Sequence, residues 1–163
     1  MKILKVATLT FGLSLFTALN SALACQITGS VYRDADHQGF ELTFSDPIPD
    51  TASSKSVATI HHSQQNLIYR FNVTQASGYG SIFLSAIDNT DEVVASEVSF
   101  PLYFFDEDLI SATPAWFGEE TSAPQYAFIA DLGSYDDYNR RGTVSDGSRS
   151  LLGDVMWVHD RCQ

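Results

Sequence analysis

A short segment near the C-terminus concentrates the side chains best suited to binding a ligand. Between Gly133 and Gly142 it carries two tyrosines, two carboxylates, an amide and two guanidinium groups: Tyr135, Asp136, Asp137, Tyr138, Asn139, Arg140 and Arg141. Aromatic rings stack on sugars or cations, while Asp, Asn and Arg orient a ligand through hydrogen bonds. Together with Trp116 in a neighbouring loop, this segment is the predicted binding site for a glycan or a protein partner.

The same side chains also allow an interpretation without a ligand. Arg140 or Arg141 can pair with Asp136 or Asp137 and hold a long loop in place, while a tyrosine fills space in the core. Such ion pairs are common on protein surfaces, so the sequence leaves both interpretations open.

A second pattern resembles the start of a calcium loop. Asp34 and Asp36 stand at alternate positions before Gly39, so their carboxylates could turn toward one cation. The fifth position is the neutral Gln38, and the twelfth is Ser45 where the full motif needs a bidentate Glu. The sequence therefore predicts a hairpin turn here, with Ca²⁺ as the alternative, and no cofactor is predicted.

Two acidic clusters and four histidines are the remaining candidates for metal or acid–base chemistry. The clusters are Asp106-Glu107-Asp108 and Asp131 with Asp136-Asp137, which could hold Ca²⁺ or Mg²⁺ only if two loops converge. Surface charge that keeps the protein in solution is the alternative. The histidines are His37, His61, His62 and His159. His61 and His62 are neighbours on an expected strand, so they should point to opposite faces and not share one metal.

No motif names a reaction. No serine lies in a Gly-x-Ser-x-Gly elbow, although a glycosidase with two catalytic carboxylates needs no local motif. The sequence therefore favours a non-catalytic protein over a hydrolase or a divalent-metal protein that uses acidic loop residues.

The N-terminal residues 1–24 have the pattern of a cleaved secretory signal peptide. Lys2 and Lys5 precede an uncharged apolar run. The small residues that signal peptidase needs follow it, and the expected cleavage site lies after Ala24. A membrane anchor is the alternative, but the run is short and contains several Thr and Ser residues. The short leader is typical of bacteria, so we expect export to a periplasm or to the outside of the cell.

Cleavage after Ala24 would make Cys25 the first residue of the mature chain. Cys162 is the other cysteine, and in an oxidising compartment the two are expected to form a disulfide. The alternative is a lipoprotein tethered through an acylated Cys25, although the order of Ala22 and Leu23 suits ordinary signal peptidase better. No transmembrane segment is expected in the mature chain.

The charge balance limits the possible partners. The chain has 9 Lys and Arg against 20 Asp and Glu, a net charge of −11 that becomes −13 once Lys2 and Lys5 leave with the signal. Such a body is repelled by a phosphate backbone, so no nucleic-acid partner is expected. It attracts basic proteins instead.

We therefore expect a small exported binding module that could act as an inhibitor or a sequestering protein. The alternative is an envelope accessory protein that adds a strand to a partner's sheet.

A hydrophobic period of two predicts the elements that position these residues. Phe40, Leu42 and Phe44 alternate with polar residues, and similar runs recur about every ten residues between turn sequences. We expect residues 25–163 to form one all-β domain, an antiparallel β-sandwich of about eight strands resembling immunoglobulin-like or jelly-roll topologies, with a small β-barrel as the alternative. Pro101 should break a strand, residues 106–112 should form a short helix, and residues 113–125 and 133–142 should be loops.

Overall fold

The structure, a computed structural model, describes residues 25–49, 53–78, 80–87, 98–118, 121–141 and 151–163. The expected signal peptide and, apart from Val98, the strand expected over Val93–Val98 lie outside these residues. Eight strands follow one another along the chain: β1 (Ser30–Asp34), β2 (Phe40–Ser45), β3 (Ser56–His62), β4 (Asn66–Gln75), β5 (Ile82–Ala86), β6 (Ser99–Phe105), β7 (Tyr126–Ile129) and β8 (Met156–Cys162). One helix, α1 (Leu132–Arg140), lies between β7 and β8.

The strands form a closed antiparallel barrel. Each strand pairs with the next, and β1 also pairs with β8 from Ser30 opposite Cys162 to Asp34 opposite Trp157. The all-β expectation is confirmed, and the barrel alternative replaces the expected two-sheet sandwich. Alternation shows that one face of each strand is buried, which holds equally for both architectures; the pairing of first with last strand decides between them.

Inward-facing side chains fill the barrel. They alternate with outward positions, and the largest of those that are fully buried include Trp157, Tyr32, Phe40, Phe44, Phe71 and Phe104. Tyr32 packs edge-on against Phe44 at 5.9 Å between ring centroids, and the Tyr32 hydroxyl donates to the Pro124 carbonyl. The interior is therefore a packed aromatic core, as in other small barrels whose width matches their side chains.

Two local expectations were wrong. Pro101 lies inside β6, where its carbonyl accepts the Ala130 N–H at 2.9 Å. Pro101 has no N–H to donate in return, and it lies one residue beyond the last paired position of β6 and β7, Leu102 opposite Ile129. Residues 106–112 form a turn rather than a helix, because the Asp106 carboxylate accepts the N–H groups of Asp108 and Ile110.

The segment expected as a loop over residues 133–142 contains most of α1. Its mixed polar composition and the glycine at its start led to the prediction of a loop. Asp and Arg spaced four residues apart, however, are a helical signal. Gly133 is required because a Cβ there would lie 2.2 Å from the Gly153 carbonyl carbon. Close backbone approach thus explains a residue that otherwise argues against helix.

The disulfide between Cys25 and Cys162 is confirmed. Among the described residues, no helix has both the length and the apolar character needed to cross a membrane.

Candidate binding surface

The up-and-down order of the strands places the predicted binding residues at opposite ends of the barrel. Connections that follow odd-numbered strands lie at one end, here called the helix end because it carries α1. Connections that follow even-numbered strands lie at the other, called the loop end, which also holds the disulfide and residues 106–125. Trp116 is therefore at the loop end, whereas Tyr135–Arg141 are at the helix end, and the two do not form one site.

At the helix end, Asp136 is fully buried and its hydrogen bonds are made within the chain. It accepts the Tyr69 hydroxyl at 2.6 Å, the Leu152 N–H at 2.7 Å and two bonds from the Arg140 guanidinium. Burial raises the pKa of Tyr69, and the hydrogen bond to Asp136 raises it further. Since all of these donors belong to the same chain, the hydrogen bonds of Asp136 hold α1 in place over the helix end of the barrel.

The rest of α1 follows the same self-contained pattern. Leu132 joins the core, Tyr135 packs 5.0 Å from the Phe100 ring, and Asn139 donates to the Tyr135 carbonyl. Arg141 pairs with Asp137 on the exposed side, and Tyr138 is exposed. The pairing that the sequence allowed as an alternative is what the structure contains.

Asp34 and Asp36 belong to the hairpin turn between β1 and β2. Asp34 is buried, and its carboxylate accepts the Gln38 N–H. The acidic clusters at residues 106–108 and 131–137 follow β6 and β7, so they lie at opposite ends. Within the described ranges, no three His, Cys, Asp or Glu side chains group as metal ligands would.

Three of the four histidines, His37, His61 and His62, lie around one cleft without grouping as metal ligands in the described part of the chain. His61 is exposed and His62 is buried, as strand alternation predicts. The His62 Nδ1 accepts the Gln64 N–H at 3.1 Å, and its Nε2 lies 3.0 Å from the Gln38 carbonyl. The cleft that they line with His37, about 410 Å³ in volume, is flanked by Arg33 and Glu41. Both of these side chains already have ion-pair partners, Asp160 and Arg161.

At the loop end, one glutamine anchors the connection between β6 and β7. Gln75 points inward from the last position of β4, and its Nε2 donates to the carbonyls of Gly80 and Pro114 at 3.0 and 2.9 Å. Its Oε1 accepts the Phe117 N–H at 2.8 Å. Phe117 is thereby seated in the barrel mouth, 5.8 Å from the Phe44 ring.

The N-terminal segment holds the same connection from its other side. The Ile27 N–H donates to the Thr121 carbonyl at 2.8 Å, and the Ala123 N–H donates to the Cys25 carbonyl at 2.6 Å. The disulfide ties Cys25 to the end of β8. The backbone around Trp116 is therefore held by β4, by the core and by the chain ends.

Trp116 itself remains 71% exposed on this anchored backbone. The Lys55 ammonium lies 4.6 Å from the centre of its ring, a cation–π contact. A groove of about 320 Å³ runs beside the ring and is lined by Gln75 and the turn between β4 and β5.

The tip of the same connection presents two further apolar side chains, Leu109 and Ile110, which are 60% and 63% exposed. The Asp106 carboxylate holds the tip, the Asp106 N–H donates to the Ile110 carbonyl, and Leu109 has a φ of 60°. A positive φ is costly for leucine and is retained where surrounding contacts impose it. The tip is thus an ordered turn that exposes two apolar side chains directly after three carboxylates.

Sequence reasoning missed Leu109 and Ile110 because a helix was expected there. The available signal was two aliphatic residues directly after three carboxylates, which neither a core strand nor a solvated turn requires.

Comparison with known proteins adds no further identification: no family model, no curated protein and no solved structure matches this chain significantly.

Proposed function

We propose that this chain is a non-catalytic binding module that docks a basic protein through the loop end. The exposure of Leu109 and Ile110 on a backbone held by Asp106 carries the proposal. Two exposed aliphatic side chains on an ordered backbone gain free energy when a partner pocket buries them. Because the tip is already ordered, little conformational entropy would be lost on docking.

Charge selects the class of partner. Asp106, Glu107 and Asp108 directly precede the two apolar residues of the tip, and the whole chain carries −11. A basic surface would be steered toward the tip and would meet carboxylates at the rim of the contact. A role as an inhibitor or sequestering protein for a cationic exported protein agrees with this arrangement. The closed barrel argues against the strand-addition alternative, since each described strand already has two neighbours.

Titration calorimetry against two basic proteins, lysozyme and cytochrome c, tests the proposal. We expect binding that weakens as salt rises, and that weakens at least about tenfold in the double variant L109S/I110S, since a standard contact depends on a few anchors. This variant leaves the charge unchanged, so it separates tip docking from general attraction. L67S, which changes an exposed leucine at the helix end, is the matched control. Failure of both proteins to bind, or equal loss in L67S, would contradict the proposal.

A glycan is the second candidate, favoured by Trp116 and its groove. An exposed indole beside polar side chains suits stacking against a sugar ring. Retention on insoluble polysaccharide that W116A abolishes, with L109S/I110S still retained, would favour the glycan over the basic protein.

A further inference from the structure

The outer surface of β5–β8 is apolar where a barrel surface normally faces water. Most of its outward residues are apolar, alternate with the buried core positions and remain partly exposed: Phe83, Pro101, Tyr103, Phe105, Tyr126, Phe128, Met156 and Val158. Strand register makes them neighbours, since Tyr103 lies opposite Phe128, which lies opposite Met156. We call these eight residues the apolar face. Ser85, Ser99 and Asp160 are polar outward residues at the margins of this surface.

The other half of the barrel shows the usual pattern. The outward positions of β1–β3 include Arg33, Glu41, Thr43, Thr59 and His61. The same chain therefore builds a wetted surface on one side and an aromatic surface on the other. Contiguous apolar surface of this kind marks a contact site.

Charge indicates what can cover the apolar face. The described strands β5, β6 and β7 contain no Asp, Glu, Lys, Arg or His. The β8 residues of the face are uncharged, and the next outward residue of β8, Asp160, is ion-paired with Arg33 and Arg161. A basic partner finds no complementary charge there. A second copy of this anionic chain is repelled by most of the surface, and it meets the least repulsion where both copies are neutral.

Shape agrees with a second copy. Tyr103 is 46% exposed and borders a groove of about 270 Å³ that runs between Phe83, Pro101 and Thr113. A two-fold contact needs a projection and a recess on the same face, because each copy uses both. We propose that two copies of this chain associate through the apolar face, with Tyr103 of each copy seated in the groove of the other.

The size of the face predicts a weak dimer. Four strands span about 14 Å between the outermost two. Along the strands, the stretch from Pro101 to Phe105 adds about 13 Å, so the flat area is on the order of 200 Å², below the roughly 800 Å² per partner of a standard stable interface. We therefore expect reversible association with a dissociation constant on the order of tens of micromolar.

Sedimentation equilibrium of the disulfide-bonded chain, from about 5 to about 500 µM, tests this proposal because it spans the expected dissociation constant. Y103K should weaken dimerisation at least about tenfold, since it places an ammonium against an apolar groove. T59K, on the polar half, is the matched control. Both variants reduce the net negative charge by one, so long-range repulsion falls equally in both.

Three outcomes would overturn the dimer. The wild-type chain could remain monomeric throughout the range, Y103K could dimerise as strongly as wild type, or T59K could lose association to the same degree. L109S/I110S should leave dimerisation unchanged, so failure of the basic-protein proposal and failure of the dimer are separate results.

Discussion

The helix end and the loop end of the barrel both combine acidic with aromatic side chains, but they differ in which side chains remain exposed to solvent. At the helix end, Asp136 is fully buried and receives hydrogen bonds from Tyr69, Arg140 and Leu152. At the loop end, comparable anchoring by Gln75 and Asp106 fixes the backbone and leaves Leu109, Ile110 and Trp116 exposed.

The comparison shows how polar clusters that stabilise the fold can be separated from polar clusters that order an exposed surface. Polar side chains that satisfy one another stabilise the fold. Polar side chains that order a backbone whose apolar side chains stay exposed would lower the entropy cost of binding a partner there. The two ends therefore predict opposite responses to substitution.

The largest effect is expected from Asp136→Ala. Removing the buried carboxylate takes away the partner of Tyr69, Leu152 and Arg140, so we expect the free energy of unfolding to fall by about 3–5 kcal/mol in urea denaturation. Asp137→Ala is the matched control, because Asp137 pairs with the exposed Arg141 one position along the helix. Equal midpoints for the two variants would show that the helix end is not held by Asp136.

Loss of the disulfide should rank next. The bond joins residues 137 positions apart, and a C25S/C162S variant should lose about 2–5 kcal/mol of stability. Hydrogen exchange should rise at the N–H groups of Ile27 and Ala123, which donate across the loop end. Reduced wild-type protein provides the control and should match the variant. Faster exchange confined to α1 would contradict the assignment of the bond to the loop end.

Gln75→Ala should affect both stability and binding. Its side chain donates to Pro114 and accepts from Phe117 in the connection, and it also donates to Gly80. We therefore expect the free energy of unfolding to fall by about 1–3 kcal/mol and binding of the basic protein to weaken. Gln64→Ala, on the exposed turn between β3 and β4, should leave both unchanged. Weaker stability with unchanged binding would mean that the preset backbone does not contribute to docking.

The smallest effect concerns pH and a polar group that lacks the partners Asp136 has. The His159 Nε2 is buried without a hydrogen-bond partner among the described residues, and burial lowers the pKa of His159 below its usual 6.5. Below that value the unfolded chain binds a proton that the folded chain resists. The free energy of unfolding should therefore fall as the pH drops through about 6.5.

His159→Gln should flatten this slope in urea denaturation between pH 7.5 and pH 5, a range set by the histidine pKa of about 6.5. Asp160 contributes in a different window. The hydrogen bond from Arg161 lowers the pKa of Asp160 below 3.8, so its stabilisation is lost only as the pH falls through that value. An unchanged slope between pH 7.5 and 5 in the variant would assign the effect to another group.

Local pattern predicted much of the architecture. The alternation of Phe40, Leu42 and Phe44 reproduces the buried face of β2, because side chains on a strand point to alternate sides. The disulfide followed from two cysteines in an expected oxidising compartment. Both features depend on residue type and spacing alone.

Long-range contacts decided the rest. The pairing of Ser30 with Cys162 closes the barrel, although the residues lie at opposite ends of the chain and no local pattern encodes their meeting. Alternate connections of a closed meander fall at opposite ends, so Trp116 and Tyr135 are separated although they are near in sequence.

Composition and periodicity thus established an acidic, disulfide-bonded, all-β chain, because charge, cysteine count and strand alternation are properties of single residues and their neighbours. Only the tertiary structure decided that Asp136 and Arg140 are paired with each other, while Leu109 and Ile110 are exposed to solvent. Whether a polar side chain is available depends on donors brought from distant strands, such as Tyr69 from β4, and burial is a property of the whole fold.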